Sequence, residues 1–169
     1  MNHINIAIEL TRNKEVFRNM LHGVDDAQLR WKPAPGKWCM LEVICHLYDE
    51  ETKDFRVRMD HVLNNTILPL EPLDPVGWVT SGNYMQQDAD MVLQNFLVER
   101  GRSTEYLNAL VAPAWHNQYN HPEYGPMTAG MFLINWLAHD YHHIRQVNEL
   151  KYLYFKEISG MPLDYAGNW

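Results

Sequence analysis

Only two of the 169 residues are cysteine, Cys39 and Cys45, six positions apart on one predicted helix and pointing in different directions. That spacing argues against a disulfide and leads us to expect buried or half-buried thiols in a reducing, cytoplasmic setting. Basic residues are scarce too: 14 Lys and Arg face 21 Asp and Glu, the net charge is −7, and no cationic stripe forms. Nucleic acid is therefore not an expected partner, since its binding rests on phosphate neutralisation. An anionic membrane surface is disfavoured on the same ground. No stretch reaches the roughly 18 apolar residues of a membrane span. The opening MNHINIAIELTRNKEVF lacks the cationic start and apolar run of a secretory signal.

Apolar and aromatic residues are plentiful. Hydrophobic residues make up 46% of the chain, with six Trp and nine Tyr, so a packed interior with polar handles is expected. The length suits one domain, here residues 1–169, able to bury a single core. Four segments carry apolar residues at helical spacing: about Asn2 to Leu21, Cys39 to Leu63, Gln87 to Val111 and Thr128 to Tyr154. In the first, Ile4, Ile8, Val16, Met20 and Leu21 are the expected buried face. The intervening VDDAQLRWKPAPGKW, residues 64 to 85 and APAWHNQYNHPEYGPM read as loops on their Pro and Gly content. No convincing strand alternation is visible. The fold class is all-α, a four-helix bundle with a long crossover connection between the second and third helices.

The segment WLAHDYHHIRQVNEL places three histidines in five positions of the fourth helix. On a wheel of ~100° per residue with Leu133 at zero, the apolar arc runs from about 260° to 40°. His139 and His143 fall at the edge of that arc, near 240° and 280°, whereas His142 lies near 180° among polar residues. The inward pair is thus His139 and His143, one turn apart and close enough to share an ion. His46 sits at the edge of the apolar face of the second helix and supplies the third ligand. His3, His22, His61, His116, His121 and His142 read as surface or loop residues. Glu50, one turn beyond His46, is the candidate general base. Gln146, one turn beyond His143, is the candidate support behind the ligands. Asp140 falls inside the apolar arc, where a carboxylate needs a partner; Arg100, interrupting the apolar side of the third helix, is a candidate. Trp78, Tyr84, Trp115 and Tyr119 in the long loops are candidates to wall a pocket.

RWKPAPGKW, LEVICHLYDEE and AHDYHHIRQ together resemble the DinB-like family of damage-inducible, YfiT-type metalloproteins, over nearly the whole chain. The positions that match the family pattern are Trp38, Glu42, His46, His139, His143 and Gln146. The resemblance implies a four-helix bundle in which three histidines hold one divalent ion with positions open to water. It also implies frequent homodimers. Cys39 stands where the family usually has Ser or Thr, and a thiol at a helix N-terminus can have a lowered pKa. Zinc and nickel lead as the ion, and manganese and iron also accept imidazole. Three neutral nitrogens with an open position describe a catalytic site. The resemblance adds thiol S-transfer, with a low-molecular-weight thiol as partner, to hydrolysis of a small molecule as the expected reaction. A non-catalytic metal-binding stress-response protein and a dimeric interaction module with packed histidines stand as alternatives.

Overall fold

The computed structural model describes residues 2–64 and 69–167; residues 65–68 of the expected 64–85 loop lie outside them. In chain order the elements are α1 (His3–Leu21), α2 (Asp26–Arg30), α3 (Met40–Asp49), a π turn (Glu50–Asp54), α4 (Phe55–Leu63) and α5 (Pro75–Ser81). A 3-10 turn (Tyr84–Gln86) then precedes α6 (Ala89–Ala109), β1 (Gln118–His121), β2 (Gly125–Thr128) and α7 (Ala129–Ser159). Four long pieces make the bundle: α1, the α3–α4 unit, α6 and α7. α1 packs on α6 and α7, and the α3–α4 unit packs on the same two helices. Along α3–α4 and α6 the paired residue numbers rise together, Glu51 with Arg100 and Asp60 with Tyr106.

Local signals explain most boundaries. Asn2 caps α1 by accepting from the Ile4 N–H at 3.1 Å, and Asp88 and Thr128 do the same for α6 and α7. At α3, Glu42 reaches back to accept the Cys39 N–H at 2.9 Å and also takes Lys32 at 2.7 Å. α7 runs five residues past its expected end and stops at Gly160, whose φ of 61° only glycine adopts without strain.

Several sequence expectations change. α1 buries Ile6, Ala7, Leu10, Asn13, Phe17 and Leu21, while Ile4, Ile8 and Val16 of the expected face are exposed. A search for apolar side chains scores Ala7 and Asn13 poorly, yet Ala7 permits close packing and Asn13 finds a buried partner. The loop expected after α1 contains α2, capped by Asp25 onto the Gln28 N–H at 3.0 Å. The loop before α6 contains α5, with Pro75 in its first turn and Asp74 as its cap. The loop before α7 holds a two-stranded antiparallel hairpin, registering Tyr119 with Met127 and His121 with Gly125. Four-residue strands are too short to display a convincing alternation.

The apolar interior forms two clusters. One gathers Phe17, Met40, Ile44, Leu47, Phe96 and Val147; the other gathers Leu10, Met59, Leu107, Leu133 and Trp136. Between them each bundle helix carries a buried polar group, Asn13, Glu51, Arg100 and Asp140, and His46 and His143 adjoin this layer. The site is built in this layer.

Candidate metal centre

Met40, Val43, Ile44 and Leu47 bury α3 so that His46 lies at the edge of the packed face, only 5% exposed. Across from it, His139 and His143 project one turn apart from α7. His139 Nε2 stands 3.2 Å from His46 Nε2 and 3.0 Å from His143 Nε2. Each ring offers a nitrogen, and these three lie within 4.8 Å of one another. An ion bonded to imidazoles at about 2.0–2.1 Å with tetrahedral angles sets its nitrogens about 3.3 Å apart, so the spacing fits. The alternative, hydrogen bonding alone, falls short. A ring nitrogen carries either one N–H or one lone pair. His139 Nε2 can therefore satisfy only one of its two neighbours, whereas an ion among the rings satisfies all three.

The surroundings keep the rings neutral and oriented. Burial, followed by the neighbouring histidines, lowers the pKa of His46 to about 3 and that of His139 to about 2. Burial also lowers His143, to about 4, against the opposing bond to Gln146. Gln146 Oε1 lies 2.7 Å from His143 Nδ1. That bond places the ring proton on Nδ1 and leaves the Nε2 lone pair facing the other histidines. Trp38 packs on the His46 ring and Phe55 on the His139 ring, at centroid distances of 4.9 and 5.1 Å.

Glu50 stands behind His46, with Oε1 3.7 Å from Nδ1, the nitrogen turned away from His139. Burial first, and then the negative charge of Asp54 and a hydrogen bond to it, push the Glu50 carboxyl up to about 9. Asp54 in turn pairs with Arg58 Nε at 3.1 Å. The π turn matters here: the Phe55 N–H bonds to the Glu50 carbonyl, adding one residue to a single turn. Both Glu50 and Glu51 are thereby buried, one beside His46 and the other facing the bundle interior.

Glu51 belongs to a charge cluster under the histidines. Arg100, 1% exposed, binds Asp140 through two bonds of 2.6 and 2.8 Å and Glu51 through Nε at 2.9 Å. Trp136 Nε1 donates to Glu51 at 3.1 Å, and Asn13 donates to Asp140 at 3.2 Å. Asp140 thus finds Arg100, the partner that its place in the apolar arc demands. Glu51 is the residue sequence reasoning missed. A second acidic residue beside Glu50 reads as a solvated face unless the π turn is foreseen.

The remaining expectations sort themselves. His142 is exposed and outside the converging set, its ring edge-on to that of His143 at 5.1 Å. Cys39 and Cys45 are both free and buried, so no disulfide forms. Burial pushes the Cys39 thiol up to about 11 and the Cys45 thiol up to about 12, the reverse of a thiol activated by a helix N-terminus. Of the four loop aromatics, Tyr119 alone lines the cleft beside His139. Tyr84 is buried with its hydroxyl on Asp49 at 2.7 Å, Trp78 stacks under Lys53, and Trp115 packs on His3. The cleft measures about 780 Å³ and runs from His139 and Phe55 between residues 70–75 and the β-hairpin.

A helical bundle with three imidazoles gathered in a buried polar layer defines the class of protein. The chain belongs to the DinB superfamily, whose family model matches residues 9–147. Among solved structures it is similar to YfiT from Bacillus subtilis, described as "a probable metal-dependent hydrolase with an unusual four-helix bundle topology". The two share 20% identity and superpose with a TM-score of 0.78 over 95% of this chain and 89% of that one. No curated protein matches the sequence. Among the described residues, no helix is long and apolar enough to cross a membrane.

Proposed function

We propose that this chain is a metal-dependent hydrolase of small molecules, with His46, His139 and His143 on one divalent ion. The observation that carries the reading is the convergence of three neutral ring nitrogens at ion-binding spacing beside an accessible cleft. When bound, such an ion acidifies water and polarises a carbonyl oxygen. Zinc and nickel suit the imidazole set best, with manganese and iron as further candidates. The description of YfiT as a probable metal-dependent hydrolase agrees with this reading.

The chain's own groups divide the work. Gln146 fixes the tautomer of His143, and Trp38 and Phe55 fix the tilt of their histidines. As general base, Glu50 would take up the proton of the attacking water only by turning past His46, because its Oε1 lies 3.7 Å from the Nδ1 that faces away from His139. A positive charge among the rings draws its raised pKa back down, toward the range a general base needs. Thiol S-transfer is a second reading within the same site. It requires a thiol from outside, because Cys39 and Cys45 are buried and their thiols are held protonated. We further propose a cytoplasmic homodimer, with residues 64–85 as a crossover between the second and third bundle helices.

Zinc- and nickel-reconstituted protein, assayed on a panel of 4-nitrophenyl esters and anilides, tests the hydrolase reading. We expect turnover that a chelator abolishes and added ion restores. Turnover unaffected by chelation, or none with any ion, contradicts it.

A further inference from the structure

We propose that the cleft beside His139 selects substrates with an apolar body and a cationic ammonium head, held where the hairpin and residues 70–75 meet. The inference rests on the hydrolase reading for its inner end and on the cleft wall for its outer end. The cleft differs from end to end. Its inner end is formed by buried and half-buried groups, His139, Phe55 and Phe132, beside the three imidazoles. Its outer rim carries the exposed side chains of Glu71, Glu123 and Tyr124.

Charge on the wall is unbalanced in one direction. Among the described residues, Arg58 is the one Lys or Arg lining it, and that guanidinium is already committed, through Nε to Asp54 at 3.1 Å and through Nη2 to the Glu71 carbonyl at 2.8 Å. Asp54 and Arg58 cancel, which leaves the Glu71 and Glu123 carboxylates, among the described residues, without a compensating Lys or Arg in the cleft wall. The hairpin tip fixes the backbone that carries one of them. His121 Nδ1 accepts the backbone N–H groups of Glu123 and Tyr124 at 3.2 and 3.3 Å. Beside it runs a series of rings, with Tyr119 and His121 centroids 6.5 Å apart and His121 and Tyr124 4.9 Å apart. Aromatic faces next to carboxylates are the combination that binds ammonium groups. A dication at the inner end would complete a gradient from positive to negative along the cleft, which a carbonyl followed by an ammonium head matches. A substrate with a carboxylate head meets repulsion at the rim.

The test uses three 4-nitrophenyl esters of equal length, ending in trimethylammonium, methyl or carboxylate, with the full-length zinc-loaded protein. In each, water adds to the acyl carbon, the bond to the 4-nitrophenyl oxygen breaks, and a carboxylic acid and 4-nitrophenol leave. The same three ends on unreactive N-phenyl amides are titrated calorimetrically into the protein with and without zinc. At low ionic strength we expect kcat/KM and affinity to favour the trimethylammonium end over the carboxylate by about tenfold or more. That preference shrinks below about threefold in the E71Q/E123Q double variant and in 1 M salt. Equal affinities, a preference for the carboxylate, or a preference unchanged by E71Q/E123Q overturns the assignment. Absence of ester turnover with the binding preference intact sinks the hydrolase reading alone, so the two failures are distinguishable.

Discussion

Arg100 and Glu50 make the sharpest demands at the scale of single residues. Arg100 is the cation of a buried cluster that also holds the Asp140 and Glu51 carboxylates. Burial raises the Glu51 pKa, and Arg100 pulls against that shift. Removing the guanidinium strands two acids in the interior, so Arg100→Met is expected to cost about 3–5 kcal/mol in urea denaturation. A loss below about 1 kcal/mol would show that the cluster relaxes or hydrates. Glu50 separates differently. If it takes up a proton, Glu50→Gln keeps bound metal near one ion per chain and lowers kcat by about 10²–10⁴-fold. Loss of the metal in that variant, measured by elemental analysis, would instead make Glu50 a support for His46.

The π turn is the element on which both acids depend. Its extra residue lets Glu50 and Glu51 face inward while Met59 and Val62, one and two turns on, remain in the core. Inserting an alanine after Thr52 adds a second extra residue that one π turn does not absorb, and swings everything beyond it by about 100°. Met59, fully buried, would leave its place, and we expect a loss of at least about 2 kcal/mol by chemical denaturation. Unchanged stability would mean that the segment absorbs a second extra residue locally. This turn also marks where the sequence stopped being legible. The H-x3-H pair and His46 could be read because 100° periodicity holds along α7 and α3. Past Asp49 that periodicity fails, and Glu51 went unseen. On α1 the pattern misled for another reason: Ile6, Leu10, Phe17 and Leu21 set the buried face, with Asn13 among them bonded to Asp140, so Ile4 and Ile8 face outward. The hairpin, four residues to a strand, was below the length at which alternation can be recognised.

The whole molecule places a polar layer between two apolar clusters, so its stability responds to pH. His46, His139 and His143 stay neutral in the folded chain far below the ordinary histidine pKa, while the unfolded chain protonates them below about 6.5. The unfolded state then binds more protons, and stability falls as pH drops from about 6.5 toward 4. Glu50, raised to about 9, acts in the opposite sense between its unfolded value and that pH. Comparing metal-free wild type with His46→Asn cancels the contribution of Glu50 to a first approximation. Between pH 6.5 and 4 we expect wild type to lose stability relative to the variant by about 1 kcal/mol per pH unit. A pH-independent difference would mean that His46 takes up its proton in the fold.

Everything proposed for the site stands on three histidines from two bundle helices holding one divalent ion. The direct test is elemental analysis of untagged wild-type, His142→Ala and His143→Ala protein, each purified and then reconstituted with zinc, nickel or manganese. We expect close to one ion per chain in wild type and His142→Ala, and a loss of tenfold or more in His143→Ala. A wild-type chain that takes up no ion, or one that loses it equally in both variants, would contradict it and leave histidines that only pack.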